Sequence, residues 1–283
     1  MFATQFCTSH GITYTIVSHH IELPESRVHV DCVTVPKEFS LDHSAFDFLS
    51  YSPAIFLELR ILAGVDDATY LASFTVEDSM MEKFTEGRSG SFFYYTHDLK
   101  YIVKTVTVGE KNVLQNSISS YRDYLKSNSD SFLTRFFGLY GIRLDKVQNY
   151  IYFVVMENMF ANSGGVRLCE VYDLKGSYVN RSSLKHGQNA QTFHGTMKDC
   201  DLPELQLFSL GDAVATRIKS QLHLDASWLQ GHNIMDYSLL VGIHKCCLEI
   251  KKCKLCQQVN GAEDGAQRQR NSGIFYAIFI FKP

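Results

Sequence analysis

The chain has 283 residues, of which 45% are hydrophobic and 20% are charged, and its formal net charge is −3. These values describe a globular protein with room for one two-lobed domain or two small ones, and the acidic balance argues against a nucleic-acid partner. No apolar run approaches the ~20 residues of a membrane-spanning helix, and residues 1–30 lack a signal-peptide pattern, so we expect a cytoplasmic protein.

The first predicted elements are two short strands and two helices. Alternating apolar residues favour strands over 12–17 and 28–35. A proline suited to a first helical turn predicts a helix over 53–64, and paired aspartates predict a second, shorter helix over 66–71.

Residues 84–105 predict a strand, a glycine-rich turn and two further strands. Gly87 and Gly90 give the turn its backbone freedom, and Ser89 and Ser91 add hydroxyl donors. Such a turn can direct several N–H groups at one point and cradle a phosphate. An ordinary surface hairpin is the alternative, because a single glycine-rich turn is a weak signal.

Lys104 ends the last of these strands, on the face opposite Tyr101 and Val103. An ammonium group in apolar surroundings needs an anion, and a nucleotide phosphate would serve. Apolar residues at helical spacing predict a helix over 110–126, with Glu110 in its first turn. That carboxylate can pair with Lys104, although acidic residues are favoured at any helix N-terminus.

A predicted hairpin closes the first half of the chain. Its strands, over 132–144 and 150–160, complete an antiparallel sheet. The linker that follows places the only plausible boundary between an N-terminal lobe, residues 1–160, and a C-terminal lobe, residues 161–283.

The second lobe is predicted to contain two helices and a buried strand. Apolar spacing marks one helix over 207–222, and Asp225 is expected to cap a short second helix that ends at Gly231. Residues 234–244 read as a turn, carrying Asp236, that leads into a buried strand.

Four of the eight cysteines crowd into one short stretch, at Cys246, Cys247, Cys253 and Cys256. With a nearby histidine they could ligate zinc. Adjacent cysteines do not easily reach one metal together, and lysines surround the pair, so an exposed, reduced loop is the favoured interpretation.

Five short motifs occur in one order along the chain. They are Gly87-x-Ser-Gly-Ser91, Phe136-Phe-Gly-Leu-Tyr140, Phe153-Val-Val-Met156, Tyr172-Asp-Leu-Lys-Gly-Ser177 with Arg181, and Ile234-Met-Asp-Tyr-Ser-Leu-Leu240. Together they resemble the phosphatidylinositol phosphate kinases over residues 51–244. The resemblance implies an α+β, two-lobed, distantly protein-kinase-like fold with an antiparallel sheet in the N-lobe.

The same resemblance implies an activity. The γ-phosphate of ATP, with Mg²⁺, would pass to an inositol-ring hydroxyl of a phosphatidylinositol monophosphate, most closely the 4-phosphate lipid, to make phosphatidylinositol 4,5-bisphosphate. It also implies peripheral attachment to an anionic membrane surface, and it leaves a homodimer open.

Site residues follow from the resemblance by position. For the nucleotide, Lys104 would bind the phosphates, Glu110 would orient Lys104, and the turn residues Gly87, Ser89, Gly90 and Ser91 would cover the phosphates. For the lipid, Asp236 would orient or deprotonate the attacking hydroxyl, Lys175 would line the active site, and Arg181 would read the phosphate already on the ring. The stretch Lys198-Asp199-x-Asp201 would have a structural role beside them.

The end of the chain departs from the family pattern. Residues 246–270 resemble a variable insert, but Phe281 falls where the family has a magnesium-binding aspartate, and the loop that selects the lipid is missing. A truncated or mis-spliced kinase is the simplest explanation, and a pseudokinase or scaffold on the same fold is the alternative. Without the metal clamp we expect little or no turnover from the chain as written.

Overall fold

The computed structural model describes residues 3–7, 13–17, 19–22, 29–35, 46–75, 80–82, 91–144, 149–160, 168, 170–184, 193, 195–202, 212–244 and 273–276. The chain divides into two units. The first contains Met1–Asn128 and Arg135–Glu157, and the second contains Ser129–Thr134 and Asn158–Pro283. Helices and strands are mixed, and the predicted α+β class with an antiparallel sheet is confirmed.

The first unit contains an eight-stranded sheet in which every neighbouring pair is antiparallel. Across the sheet its strands are β3 (His19–Glu22), β4 (His29–Val35), β5 (Phe46–Tyr51), β9 (Phe136–Leu144), β10 (Ile151–Glu157), β8 (Tyr101–Val106), β7 (Phe93–Thr96) and β6 (Met80–Glu82). A separate hairpin joins β1 (Ala3–Cys7) to β2 (Thr13–Val17). The predicted strands over 12–17 and 28–35 and the predicted hairpin are confirmed.

Three helices belong to the first unit: α1 (Pro53–Leu62), α2 (Asp67–Thr75) and α3 (Val108–Ser127). The bounds of α1 and α3 lie within two residues of the prediction. The second helix runs four residues further than expected because its last turn packs on the sheet, where the Phe74 ring stacks on Tyr101 with centroids 5.9 Å apart.

The core of the first unit is largely aromatic. Its buried members are Tyr70, Tyr101, Val103, Phe137 and Val155. The Tyr101 and Phe137 rings meet edge to face at 5.5 Å, a favoured aromatic geometry. Because side chains alternate along β8, the burial of Tyr101 and Val103 in this core leaves Lys104 on the opposite face.

The second unit contains a four-stranded sheet. Across it lie β12 (Met197–Lys198), β11 (Glu170–Leu174), β13 (Leu239–His244) and β14 (Gly273–Tyr276); β11 and β12 are parallel and the other pairs are antiparallel. A 3-10 turn, Asp199–Asp201, follows β12 directly. The buried cluster of this unit comprises Tyr172, Met197, Val241 and Ile243.

A single helix, α4 (Asp212–Gly231), replaces the two helices predicted for this region. The prediction that Asp225 caps a second helix is wrong, because Asp225 lies inside α4 and is fully buried. Its carboxylate accepts hydrogen bonds from Ser131 Oγ at 2.8 Å and from the Phe132 N–H at 2.7 Å. The Gln221 amide, one turn earlier, donates a third at 2.9 Å. Asp225 therefore anchors residues 129–134 to the helix.

No helix among the described residues has both the length and the apolar character needed to cross a bilayer. The cysteine-rich stretch and Phe281 lie outside the described residues, so the predictions made for them stay predictions.

Candidate active site

Lys104 is a buried cation that, among the described residues, has one acidic partner. The residue is 2% exposed, and its Nζ lies 2.9 Å from Glu110 Oε1. A buried ammonium group is tolerated only with a counter-charge, and here Glu110 supplies it. An ammonium carries three donors, so this pair leaves Lys104 with capacity for a further anion.

The start of α3 fixes Glu110. Thr107 caps the helix: its hydroxyl accepts a hydrogen bond from the Glu110 N–H at 3.2 Å, and the Thr107 N–H donates to Glu110 Oε2 at 2.5 Å. This reciprocal capping box uses one carboxylate oxygen and leaves Oε1 for Lys104. The residues at the start of α3 therefore hold the Glu110 carboxylate toward Lys104 on β8.

The glycine-rich turn is described only at its end. Gly87, Ser89 and Gly90 lie outside the described residues, while Ser91 is half-buried. Beside it, the Phe92 N–H donates to Thr105 Oγ1 at 2.9 Å and the Thr105 N–H donates to the Phe92 carbonyl at 3.1 Å. The turn thus ends against the residue that follows Lys104.

A second ion pair lies in the second unit, where Lys175 Nζ donates to the carboxylate of Asp236. The Asp236 side chain is 61% exposed, whereas that of Lys175 is largely covered. Asp236 has a φ of 59°, in the left-handed region that non-glycine residues rarely adopt. Backbone strain of this kind concentrates at functional positions.

Asp199 organises the turn that carries Lys175. Its Oδ1 accepts the N–H groups of Lys175 at 2.9 Å and of Gly176 at 2.8 Å, and its Oδ2 accepts Nε of Arg181 at 2.7 Å. Burial opposes ionisation of Asp199, but these hydrogen bonds outweigh burial and lower its pKa. The carboxylate thus stays charged and holds both basic residues.

Arg181 is shared between two aspartates. Besides its bond to Asp199, its Nη2 donates to the Asp173 carboxylate at 2.9 Å and to the Asp173 carbonyl. Burial opposes the positive charge, but the two carboxylates outweigh it and raise the pKa of Arg181. Within the described part of the chain Nη1 donates to no protein atom, so it is the group left for a phosphate.

Asp201 anchors the next segment. It accepts hydrogen bonds from Ser182 Oγ at 2.6 Å, the Ser183 N–H at 2.8 Å and the Lys198 N–H at 2.9 Å. Although burial opposes ionisation, these bonds lower the pKa of Asp201. The contacts of Asp199 and Asp201 show how residues 173–184 are held against the 3-10 turn.

The structure therefore brings the predicted site residues together in two groups. In the first unit it joins Lys104 to Glu110. In the second it joins Lys175 to Asp236, and Arg181 to the clamp formed by Asp199. Sequence reasoning gave Asp199 a structural role and did not identify Asp173 as the partner of Arg181. Asp173 lies eight residues before Arg181 and within the same motif, and this carboxylate in the motif was the available signal.

A sequence profile described as Phosphatidylinositol-4-phosphate 5-Kinase matches residues 74–273. The chain belongs to this family. The match spans both units and includes every residue of the two groups.

Curated relatives agree with the profile. The chain is 37% identical over 206 residues to a Dictyostelium discoideum protein named "Probable phosphatidylinositol phosphate kinase", 33% identical over 232 residues to a Plasmodium falciparum phosphatidylinositol 4-phosphate 5-kinase, and 36% identical over 200 residues to phosphatidylinositol 4-phosphate 5-kinase 5 of Arabidopsis thaliana. These alignments cover 71%, 76% and 70% of this chain but only 28%, 13% and 25% of the relatives. The chain thus spans about a quarter or less of the proteins that it matches.

Kinases of this type use ATP, and Mg²⁺ is usual. A buried lysine with spare donors fits a nucleotide phosphate. For the metal, the described residues contain no cluster of three or more His, Cys, Asp or Glu side chains that could hold an ion. Those residues do not by themselves form a metal site.

Proposed function

We propose that this chain is part of a lipid kinase that transfers the γ-phosphate of ATP to a ring hydroxyl of a phosphatidylinositol monophosphate. The substrate proposed is phosphatidylinositol 4-phosphate, with its 5-hydroxyl as acceptor, at the cytoplasmic surface of an anionic membrane. The observation that carries the proposal is the buried Lys104–Glu110 pair, in a chain that belongs to this kinase family.

Lys104 would hold the nucleotide. Phosphoryl transfer demands little covalent chemistry of the protein and much positioning of charge. Glu110 fixes the ammonium group through one of its three donors, and the remaining donors suit phosphate oxygens. ATP supplies the phosphoryl group that is transferred.

Asp236 would act on the lipid hydroxyl. The hydroxyl oxygen forms a bond to the γ-phosphorus, the bond between that phosphorus and the β,γ-bridging oxygen breaks, and ADP leaves with the bond electrons. The hydroxyl proton passes to the Asp236 carboxylate. The Lys175 contact holds this carboxylate in place, and its exposure leaves it accessible to a substrate.

Arg181 would read the phosphate already on the inositol ring. Asp173 and Asp199 fix its guanidinium, so little rotational freedom remains to be lost on binding. The Nη1 donors are the part of the fork that suits phosphate oxygens.

Direct assay of lipid phosphorylation tests the proposal. The purified chain is incubated with ATP, Mg²⁺ and vesicles that contain each phosphatidylinositol monophosphate in turn, beside Lys104→Met, Asp236→Asn and the control Lys100→Met. Lys100 lies in the same hairpin but is an exposed partner of Asp98. Product from the 4-phosphate lipid that is lost in both site variants and kept in the control supports the proposal.

A catalytically inactive nucleotide- or lipid-binding protein is the second candidate, and Phe281 at the expected aspartate position favours it. Binding of an ATP analogue that depends on Lys104, without any product, would support that candidate and contradict turnover by this chain.

A further inference from the structure

Three large apolar side chains next to the Lys175–Asp236 pair are almost fully exposed. Tyr178 is 79% exposed, Val179 77% and Met235 75%, the highest values for large apolar residues in the described part of the chain. Tyr178 and Val179 follow Lys175 by three and four residues, and Met235 immediately precedes Asp236. The ion pair joins the two segments that carry them.

The turn that carries Tyr178 and Val179 is held firmly by the protein. Asp199 binds its first two N–H groups, and the Cys200 N–H donates to the Arg181 carbonyl at 2.8 Å. The Cys200 thiol also donates to the Tyr178 carbonyl at 3.4 Å. A braced turn that keeps adjacent tyrosine and valine side chains in solvent presents an apolar surface in a fixed position.

The charges around this surface limit the kind of partner. Among the described residues 173–184, 195–202 and 234–238, there are four carboxylates, those of Asp173, Asp199, Asp201 and Asp236, against three cations, Lys175, Arg181 and Lys198. These described charges give no net attraction to an anionic membrane, so local adhesion falls to the apolar side chains. Tyrosine with aliphatic neighbours is the composition favoured at the boundary between headgroups and acyl chains.

We infer that Tyr178, Val179 and Met235 form a membrane-contact surface that enters the interface of a phospholipid bilayer and brings Lys175 and Asp236 to the lipid headgroup. The inference rests on the proposed function, because a kinase that acts on a membrane lipid must place its acceptor site at the bilayer surface. The partner is the bilayer itself, which extends beyond the one lipid that is phosphorylated.

Fluorescence of the full chain tests the insertion without any need for catalysis. Trp228 is the only tryptophan, so Trp228→Phe gives a silent background for a Tyr178→Trp reporter. A matched reporter, Ile151→Trp, replaces a half-exposed apolar residue of the first unit. The probe is phosphatidylcholine vesicles with brominated acyl chains and a minor fraction of phosphatidylinositol 4-phosphate.

We expect vesicles to shift the emission of the Tyr178→Trp reporter to the blue and to quench it, and to leave the Ile151→Trp reporter unchanged. Emission at position 178 that is already blue-shifted without vesicles would show that protein covers the surface, and would overturn the inference. Equal quenching of both reporters, or quenching of neither, would also overturn it.

Vesicle sedimentation gives a second measurement. The double variant Tyr178→Ser/Val179→Ser should lower partitioning roughly tenfold or more, because two apolar side chains no longer leave water. The control Ile61→Ser/Leu62→Ser alters another exposed apolar pair, on α1, and should leave partitioning unchanged. Equal losses in the two variants would contradict the inference.

Activity separates this inference from the proposed function. If the parent chain phosphorylates vesicle lipid, as the proposed function requires, the double serine variant should lose that activity and keep phosphorylation of a monomeric, short-chain phosphatidylinositol 4-phosphate. Insertion without phosphorylation of either lipid would leave the contact surface standing and refute the kinase activity. Phosphorylation of vesicles without insertion would support the kinase activity and refute the contact surface.

Discussion

Asp199 holds Arg181 through a hydrogen bond of 2.7 Å between its Oδ2 and the guanidinium Nε, while its other oxygen binds the turn that carries Lys175. One carboxylate thus connects the two basic residues proposed to bind the lipid headgroup. Asp199 contacts no substrate in this account and acts as a positioning residue.

Replacement of Asp199 by asparagine should weaken headgroup binding. The amide is uncharged and cannot accept at both positions, so Arg181 loses a fixed partner and the Lys175 turn loosens. We expect roughly tenfold weaker binding of soluble inositol 1,4-bisphosphate, measured by NMR titration. Binding of an ATP analogue should stay unchanged.

Asp201→Asn is the matched control for this prediction. Asp201 accepts a similar number of hydrogen bonds, but from residues 182–184 and Lys198. An equal loss of headgroup binding in this variant would show that the segment as a whole, and not the Asp199 clamp, sets the affinity.

The Lys104–Glu110 pair should show asymmetric energetics. Glu110→Ala leaves a buried ammonium without its counter-charge and removes half of the capping box, so we expect a loss of about 3 kcal/mol in the free energy of unfolding. Lys104→Met removes the buried ammonium but leaves the Glu110 carboxylate, which keeps the Thr107 N–H and its place at the helix N-terminus, so its cost should be smaller, about 1–2 kcal/mol.

Urea denaturation of both single variants and the double variant measures this coupling. The double variant should be more stable than Glu110→Ala alone, because no unpaired ammonium remains. If the losses in free energy of unfolding of the two single variants add up to the loss of the double variant, Lys104 and Glu110 do not stabilise each other and the prediction is wrong.

Asp225 should be important for stability and not for chemistry. It is fully buried and accepts hydrogen bonds from Ser131, Phe132 and Gln221, so Asp225→Ala removes the acceptor of these three buried bonds. We expect a loss of about 3 kcal/mol in the free energy of unfolding. The exposed Asp212→Ala, on the same helix, should cost less than about 1 kcal/mol. Similar melting temperatures for the two variants would contradict this assignment.

Asp98 should make the fold sensitive to acid. Burial opposes its ionisation, but hydrogen bonds from the Thr96 and Ser73 hydroxyls outweigh burial and lower its pKa to about 2. A carboxylate with a depressed pKa contributes stability above its unfolded pKa of about 4 and loses it as pH falls toward 2. The contribution is on the order of 2 kcal/mol.

Urea midpoints measured between pH 5 and pH 2 check this contribution. The decline toward acid should be shallower in Asp98→Asn than in the parent chain, since the titrating group is gone. Parallel curves would show that other carboxylates dominate the acid response.

Elements defined by nearby residues were predictable from the sequence. Helix α3 was predicted within two residues from its apolar periodicity alone, with Glu110 in the first turn, and the Thr107–Glu110 capping box that fixes its start was seen only in the structure. The Lys104–Glu110 contact joins residues only six apart, on adjacent elements, so local geometry was sufficient to suggest it.

Contacts between distant residues were not predictable in the same way. Asp225 looks like a helix cap in sequence, but its partners Ser131 and Phe132 lie more than ninety positions earlier. The Lys175–Asp236 contact spans 61 residues, and only the family resemblance suggested that the two belong to one site. Spacing along the chain does not encode such long-range partners.

The division of the chain has a practical consequence for cutting it into fragments. Residues 129–134 belong to the second unit although they lie between α3 and β9 of the first. A fragment that starts at Asn158 would lack Ser131 and Phe132, and Asp225 would lose two of its donors in the interior of the protein. We expect the fragment that starts at Asn158 to fold only when the fragment that ends at Glu157 is also present, because that fragment carries residues 129–134, which supply two of the donors to Asp225.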